Sequence, residues 1–431
     1  MTENSEFSAA PITDDQLVGW PRVAAIAVMV AFALPVFVAG LEIYARLTFV
    51  DTMIALFIGS AILTAIGATM GSIGARTRLS SYLLVRIAFG DRGAAVVNIA
   101  FAISLVGWFG VNIDLFSGAA VRLAADVFGV TVPAWPIEIG AGILMTTTTI
   151  FGFRAINVLA SFLAPVLAVV TAMLLFGTLE SHSIADLMAI EKVATATISD
   201  GVSAVVGGII IGAIILPDIT RFIRHWKGAI QVAFWAYMVV ELVVFAVAGM
   251  AGAASGKTDV LDVMLHFGLG LGAFIIVIAG SWVLNSLNLY STVLSVEATF
   301  PKLQGKLVTA MLGALGVGAA FLNILDSFLA FLSFLAVIFV PVAGVIITDY
   351  TLINRDAYRA EMLDNNQSLS GMAFVSWGVG AALAALINEG MIGSLLGVGV
   401  LDSVVISALL YGGLSWKKRT QNQNRVNDGR G

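Results

Sequence analysis

Long apolar runs separated by short charged segments dominate this sequence and leave few folds open to it. A helix needs about 20 apolar residues to cross the hydrocarbon core of a bilayer. Twelve runs are of this kind, at 22–45, 52–75, 94–121, 135–152, 156–179, 199–221, 228–254, 270–295, 307–324, 328–350, 371–388 and 391–414. Because the segments between them are short, we predict an all-α integral membrane protein with 12 transmembrane helices and no domain outside the membrane.

The composition excludes several classes of protein. Of the 431 residues, 59% are hydrophobic and 11% are charged, whereas a soluble domain carries about 25% charged residues. A cytosolic enzyme, a nucleic-acid-binding protein and a disordered chain are therefore excluded. The chain has no cysteine and three dispersed histidines, so disulfides, thiolate zinc sites and iron–sulfur clusters are excluded as well. We expect no metal site and no cofactor.

Lys and Arg are distributed unevenly among the segments between the runs. If both termini are cytoplasmic, the outer segments hold four of the 22 basic residues, and the inner segments and tails hold the other 18. Cytoplasmic segments of membrane proteins carry such an excess. We therefore predict a multi-pass protein of the cytoplasmic (inner) membrane, with cytoplasmic tails at 1–21 and 415–431. Residues 1–21 are polar and acidic, which does not fit a signal peptide.

Two of the predicted spans contain residues that can interrupt a helix. Span one has Pro35 and Gly40, and span six has Gly207 and Gly208 followed by Pro217. Proline removes a backbone donor, and glycine tolerates non-helical torsions. Interrupted segments at matching places in two halves of a chain point to a transporter binding site. Gly and Pro are also frequent in ordinary membrane helices, and this alternative stays open.

The order of the spans predicts an internal repeat. Spans one and six each begin a set of five, and the third span of each set carries a tryptophan near its middle, Trp108 and Trp282. We predict a five-plus-five inverted repeat with broken helices 1 and 6. The first repeat would occupy 22–179 and the second 199–350, followed by two additional helices at 371–414.

Aromatic and amide side chains lie near the middle of spans three and eight. Trp108 shares a helix face with Asn112, and span eight carries Asn285 and Asn288. An indole can stack on a flat ring, and an amide can pair with the polar edge of a heterocycle. These residues indicate a planar, neutral, polar substrate. The alternative is that the tryptophan packs in the core and the asparagines bridge helices.

Carboxylates inside apolar spans are costly, so each is a candidate for function. Glu42 follows the predicted interruption of span one and faces either a substrate or ion or the outer interface. Asp114 on span three is placed to pair with another helix. Glu241, at the centre of span seven, is either a proton carrier or a neutral residue that hydrogen-bonds between helices.

The inner end of span six carries a proline followed by two charged residues. After Pro217, Asp218 and Arg221 are spaced i, i+3, which allows them to pair. We interpret these residues as an inner gate or a structural element rather than as substrate contacts.

Six short motifs occur in order along the chain, at 71–81 (GSIGARTRLSS), 86–90 (RIAFG), 106–110 (VGWFG), 217–222 (PDITRF), 285–290 (NSLNLY) and 341–350 (PVAGVIITDY). With them the chain resembles the nucleobase–cation symporter family, and within it the purine–cytosine permease branch. The resemblance implies an inverted-repeat transporter that carries a heterocycle with a cation. It implies that Trp108 stacks on the base and that Asn285 hydrogen-bonds to it. It also implies that Gly207, Gly208 and Ile209 form an unwound stretch whose backbone faces the base.

Two substitutions bear on the substrate. Cytosine permeases that this chain resembles have Gln three residues before the span-three tryptophan, where this chain has Leu105. They have an aromatic residue after the span-six glycines, where this chain has Ile209. Cytosine specificity is therefore open.

Two further substitutions bear on the coupling ion. Sodium-coupled members of the family have hydroxyl side chains where this chain has Val283 and Leu284. These apolar side chains cannot supply oxygen ligands to a hard cation, although Ser281 and backbone carbonyls remain. Since Glu42, Asp114 and Glu241 offer carboxyl groups, a proton is the more attractive coupling ion.

Together these features predict a secondary active transporter, not an enzyme. It would import a nucleobase or related heterocycle, such as cytosine or a purine, by symport with H⁺ or Na⁺ across the lipid bilayer. The alternatives within transport are another heterocycle (a hydantoin, allantoin or a thiamine-precursor pyrimidine) or a facilitative uniporter. A channel would need rings of pore-lining residues. A membrane-embedded enzyme would need a cluster of catalytic residues. The sequence offers neither.

Overall fold

The computed structural model describes residues 12–303, 305–322, 328–365 and 368–428. Within these ranges the regular structure is helical, and an isolated bridge joins Val18 to Ile223. The α-helices are α1 (Trp20–Ala31), α2 (Leu34–Arg46), α3 (Phe49–Thr77), α4 (Ser81–Phe128), α5 (Ala134–Ile150), α6 (Gly152–Ser181), α7 (Ile184–Met188), α8 (Ile198–Ile214), α9 (Pro217–Thr220), α10 (Lys227–Ala233), α11 (Leu242–Ser255), α12 (Val260–His266), α13 (Gly270–Ile275), α14 (Ser281–Thr299), α15 (Lys306–Ala320), α16 (Phe328–Thr348), α17 (Gly371–Asn388) and α18 (Gly399–Asp428). Of the predicted tails, 1–11 and 429–431 lie outside the described residues.

Among the described residues, nine helices are long and apolar enough to cross a membrane. A tenth candidate is the bent pair of α1 and α2, and α15 is a shorter apolar helix. The prediction of an all-helical protein with many apolar spans is therefore confirmed.

The first predicted interruption exists, but not where Gly40 lies. The chain leaves the helix at Phe32 and Ala33, and the axes of α1 and α2 differ by 49°. Pro35 is the second residue of α2, where its missing N–H costs nothing. Gly40 is helical, and a Cβ there would lie 2.8 Å from the carbonyl oxygen of Phe245. The prediction that Gly40 marks the break is wrong, because this glycine serves close packing of α2 against α11.

The second interruption also lies closer to its proline. Helix α8 is continuous through Gly207, Gly208 and Ile209, ends at Ile214, and is followed by α9 beginning at Pro217. The expected unwound stretch at the two glycines is therefore wrong. A Cβ on Gly207 would overlap the carbonyl oxygen of Leu332, so this glycine lets α8 lie directly on α16.

In the described part of the chain, three π-helical segments adjoin α-helices. They are Phe234–Glu241 between α10 and α11, Ile276–Gly280 between α13 and α14, and Asp349–Ile353 after α16. Such segments occur often at functional sites, because the wider turn displaces side chains from their normal helical positions. Two of the three directly precede or contain polar residues of the predicted site.

Candidate functional site

A mainly apolar cavity lies among the helices of the bundle. Its wall is built by residues of α1, α2, α4, α8, α9, α14 and α16, together with the π segment Phe234–Glu241 and Phe245 of α11. Both interruptions adjoin it, since Pro35 of α2 and Ile215 at the end of α8 contribute to the wall. Pockets lined by apolar groups with a few polar ones are typical small-molecule sites.

Trp108, which the sequence predicted to contact a substrate, forms part of this wall. Its side chain is 7% exposed and is held between two aromatic rings of α16. The centroid distances are 6.1 Å to Phe328 and 5.4 Å to Phe331, with both rings edge-on. Edge-to-face contacts fix the orientation of an indole. Leu105 also lines the cavity.

Helix α8 contributes small and aliphatic residues to the opposite wall. Gly208, Ile209 and Gly212 line the cavity, whereas Gly207 faces α16 and does not. The cavity-facing positions of α8 are therefore helical, and the wall there is shaped by the side chain of Ile209 and by the missing side chains of Gly208 and Gly212.

The two asparagines of α14 point in different directions. Asn285 is fully buried and donates its amide to the carbonyl oxygen of Phe109 at 3.0 Å and to Sδ of Met145 at 3.3 Å. Asn288 lines the cavity and donates to Oδ1 of Asn285 at 3.4 Å. Asn285 therefore bridges α14 to α4 and α5, and Asn288 is the amide that faces the cavity.

The other predicted polar residues of α4 lie away from the cavity wall. Asn112 is fully buried and donates to the carbonyl oxygen of Trp108 at 2.8 Å. Asp114 is partly buried, and its carbonyl oxygen accepts from Ser117, whose hydroxyl also lies 3.2 Å from Glu138. The side chain of Asn112 therefore hydrogen-bonds to the backbone of the helical turn that carries Trp108.

Asp218 forms the floor of the cavity. Its carboxylate accepts a hydrogen bond from the N–H of Ser81 at 2.9 Å and from the hydroxyl of Ser291 at 3.0 Å. Arg221 is fully buried and donates to the carbonyl oxygen of Asp218 at 3.2 Å and to the hydroxyl of Tyr290 at 3.2 Å. The predicted side-chain ion pair between Asp218 and Arg221 is not formed, because the guanidinium faces main chain and phenol.

The remaining candidates for ion coupling are dispersed. Glu42 is partly buried on α2 and does not line the cavity. Ser281 is fully buried and follows Gly280, where a Cβ would lie 2.9 Å from the carbonyl oxygen of Phe32. Glu241 is buried at the end of the π segment Phe234–Glu241. In the described part of the chain, no group of three or more His, Asp or Glu is placed to hold a metal ion.

Tyr237 also lines the cavity, from the π segment Phe234–Glu241, and was not among the residues predicted from the sequence. A signal was present, since Tyr237 lies four positions before Glu241 on the same apolar span. The displacement of both residues by a π-helical turn could not be read from the sequence.

Comparisons with known proteins agree with this architecture. Among solved structures, Mhp1, a nucleobase-cation-symport-1 family transporter in a closed conformation with bromovinylhydantoin bound, superposes with a TM-score of 0.81. It is 20% identical in sequence, and the match covers 96% of each chain. The inward-facing conformation of Mhp1 has a TM-score of 0.77 at 19% identity, covering 97% of this chain and 94% of that one. At these identities the likeness shows the fold.

Two sequence relatives are permeases. The cytosine permease of Escherichia coli (strain K12) is 28% identical over 388 residues, which are 89% of either chain. The hydantoin permease of Microbacterium maritypicum is 24% identical over 383 residues, covering 80% of this chain and 77% of that one. The family described as permease for cytosine/purines, uracil, thiamine, allantoin matches residues 20–416. This match covers most of the chain and shows that the protein is a multi-pass membrane transport protein of the cytosine/purine permease family.

Proposed function

We propose that this protein imports a nucleobase or related heterocycle, such as cytosine or a purine, by symport with a cation. The observation that carries the proposal is Trp108, an indole fixed edge-on between Phe328 and Phe331 in the wall of a cavity next to both helix breaks. A flat ring can stack on an indole held in this way. Opening of the cavity to one side of the membrane at a time would move the substrate across.

The proposal includes the predicted transmembrane organisation. Helix α5 and the short helix α15 complete twelve spans when they are added to the nine long helices and the bent pair. The two breaks lie directly before Pro35 and Pro217, which supports an inverted repeat of 22–179 and 199–350 followed by helices at 371–414. The excess of basic residues supports cytoplasmic termini in the inner membrane.

The polar groups of the cavity indicate what the substrate offers. Tyr237, Asn288, Ser291 and Asp218 are the hydroxyl, amide and carboxyl groups of an otherwise apolar wall. A neutral planar heterocycle with donors and acceptors on its edge matches such a set. The relatives named cytosine permease and hydantoin permease support this substrate class.

A second candidate is a transporter of another heterocycle in the same fold, such as a hydantoin, allantoin or a thiamine-precursor pyrimidine. Leu105 and Ile209 favour it, because aliphatic side chains line the cavity where cytosine permeases offer an amide and an aromatic ring. A facilitative uniporter would share this site and differ only in having no dependence on a cation.

A proton fits the coupling role better than sodium. Val283 is fully buried and Leu284 lines the cavity, so neither position supplies an oxygen ligand. The hydroxyl of Ser281 has no hydrogen-bond partner among the described residues, and it alone cannot complete a sodium site. The carboxyl groups of Glu42, Asp114 and Glu241 stay the candidates for proton coupling.

A thermal-shift screen of the purified protein against purines, pyrimidines and hydantoins tests the proposal. A ligand that binds the native state alone raises the unfolding temperature. Trp108→Ala should weaken binding of the stabilising ligand about fivefold or more, because stacking contributes about 1 kcal/mol in addition to the apolar burial that is also lost. Trp135→Ala, an exposed tryptophan of α5, serves as the control and should keep the shift. An unchanged shift in Trp108→Ala would remove this residue from the site.

A further inference from the structure

Glu241 is a buried carboxyl group that has no charged partner among the described residues. Its side chain is 1% exposed, and its Oε1 has no hydrogen-bond partner among the described residues. The residue ends the π segment Phe234–Glu241 in the middle of a span, Lys227–Ser255, that is otherwise apolar. An ionised carboxylate in this position would lack the pairing that such burial requires.

Within the described ranges, the helices that pack most extensively against this segment carry no cation close to Glu241. The π segment packs against α1, α3, α10 and α11. Their charged residues are Arg22, Asp51, Arg76 and Lys227, and α11 has none. Arg22, Arg76 and Lys227 are exposed at helix ends, and Asp51 is hydrogen-bonded to Thr48 at the start of α3. Lys227 lies about 21 Å from Glu241 along the helix, as judged from the helical rise.

Tyr237 lies on the same π segment as Glu241 and lines the cavity. It lies about one π-helical turn before Glu241 and is 4% exposed. Its ring packs against Gly67 of α3, where a Cβ would lie 2.5 Å from Cε2. Its hydroxyl lies beside Gly212 of α8, where a Cβ would be 3.9 Å away. The two glycines therefore leave room for a phenol that reaches from the π segment to the cavity.

We propose that Glu241 holds the proton that crosses with the substrate and that the hydroxyl of Tyr237 passes this proton between Glu241 and the cavity. The inference rests on the proposed function, which needs a coupling cation, and it assigns the site for that cation. The carboxyl groups of Asp218 and Glu138 already accept hydrogen bonds, from Ser81 and Ser291 and from Ser117, whereas Oε1 of Glu241 accepts none from the described residues.

The transfer balances at each step. The phenol donates its proton to the carboxylate of Glu241 while it accepts a proton from hydronium in the cavity. The phenol is thereby regenerated, and the carboxylate becomes a neutral carboxylic acid. The neutral acid can be buried as it is in this conformation, whereas the carboxylate favours a conformation with more water around it. Proton binding and closure around Glu241 are therefore linked.

Transport into proteoliposomes separates the proton step from substrate passage. The full-length protein is assayed with labelled cytosine, hydantoin and allantoin, once with an imposed inward proton gradient and once for exchange against the unlabelled compound. Glu241→Gln should lose accumulation above the outside concentration and keep exchange. Tyr237→Phe should lower the ratio of gradient-driven uptake to exchange. Glu138→Gln, a buried carboxyl group of α5 outside the cavity wall, should behave like the wild type.

The outcomes that overturn the proposal are distinct from failure of the proposed function. The proposal is overturned if Glu241→Gln still accumulates the substrate. It is also overturned if this variant loses both accumulation and exchange, because the loss of both activities indicates a structural role for Glu241. If the wild type moves none of the three compounds, the proposed function fails for them. The infrared carbonyl band of a neutral carboxylic acid then decides whether Glu241 holds a proton: a band that Glu241→Gln removes supports this, and an unchanged spectrum overturns it.

Discussion

The amide of Asn288 donates to Oδ1 of Asn285 at 3.4 Å, and only Asn288 of this pair faces the cavity. The side-chain amide of Asn285 donates to the carbonyl oxygen of Phe109 and to Sδ of Met145. The two residues, about one helical turn apart, therefore have different roles. Asn285 fixes α14 against α4 and α5, and Asn288 presents an amide to whatever occupies the cavity.

This division predicts different phenotypes for the two asparagines. Asn288→Leu should weaken ligand binding about twofold to twelvefold, because a hydrogen bond contributes about 0.5–1.5 kcal/mol. Asn285→Leu should lower the free energy of unfolding by about 1–3 kcal/mol, because the buried carbonyl of Phe109 loses its donor. Ligand titration and thermal unfolding of both variants measure the two effects. Equal loss of binding with unchanged stability in Asn285→Leu would contradict the division.

A second prediction concerns the contact between α8 and α16. Gly207→Ala should lower the free energy of unfolding by about 1–3 kcal/mol, because the added methyl group overlaps the carbonyl oxygen of Leu332. Gly378→Ala on α17 is the matched control, since nothing lies within 4 Å of its Cβ position and alanine favours the helix. Thermal unfolding in detergent checks both variants. A control as unstable as Gly207→Ala would show that overlap is not the cause.

The coupling ion gives a third prediction. Replacing Na⁺ by choline should leave uptake unchanged, because Val283 and Leu284 offer no oxygen ligand. A protonophore should abolish accumulation, because it removes the proton gradient that drives it. Uptake of labelled substrate into membrane vesicles measures both conditions. A strict requirement for Na⁺ would show that backbone carbonyls and Ser281 suffice for a sodium site.

The sequence predicted interruptions in spans one and six. The structure has a 49° bend between α1 and α2 and a short gap between α8 and α9, and neither lies at the predicted glycines. A glycine in a membrane helix can mark a break or a close helix contact, and Gly40 and Gly207 serve the second purpose. The prolines were the better guide, because proline is tolerated in the first turn of a helix and the break falls just before it. Both Pro35 and Pro217 stand at such helix starts.

The cavity shows a similar limit. The position of Trp108 in the cavity wall could be predicted, because it lies near the middle of an apolar span beside polar residues and because the family resemblance implies that it contacts the substrate. The choice between Asn285 and Asn288 depends on the rotation of α14 against α4. The π-helical segment Ile276–Gly280 directly precedes α14, and its wider turns change the direction in which the side chains of α14 point. No sequence pattern predicts such a segment.

The last prediction concerns the floor of the cavity at Asp218. Its carboxylate accepts from the N–H of Ser81, the first residue of α4, and thus stabilises the start of that helix as well as the contact with Ser291. Asp218→Ala removes both hydrogen bonds and should loosen this end of the cavity. The variant Leu287→Cys places a thiol in the cavity wall. We expect a thiol reagent applied from the cytoplasmic side to label this position severalfold faster when Asp218→Ala is also present than when Asp218 is intact.

The chain has no native cysteine, so the label reports on that position alone. Asp402→Ala is the matched control. Its buried carboxylate also accepts main-chain N–H groups, from Leu395 and Leu396 at 2.8 and 2.9 Å, but it does not line the cavity. This variant should lose stability and keep the slow labelling, because its hydrogen bonds hold a different segment. Unchanged labelling in Asp218→Ala would mean that Ser81 and Ser291 are not held together through this carboxylate, and that other contacts keep the floor closed.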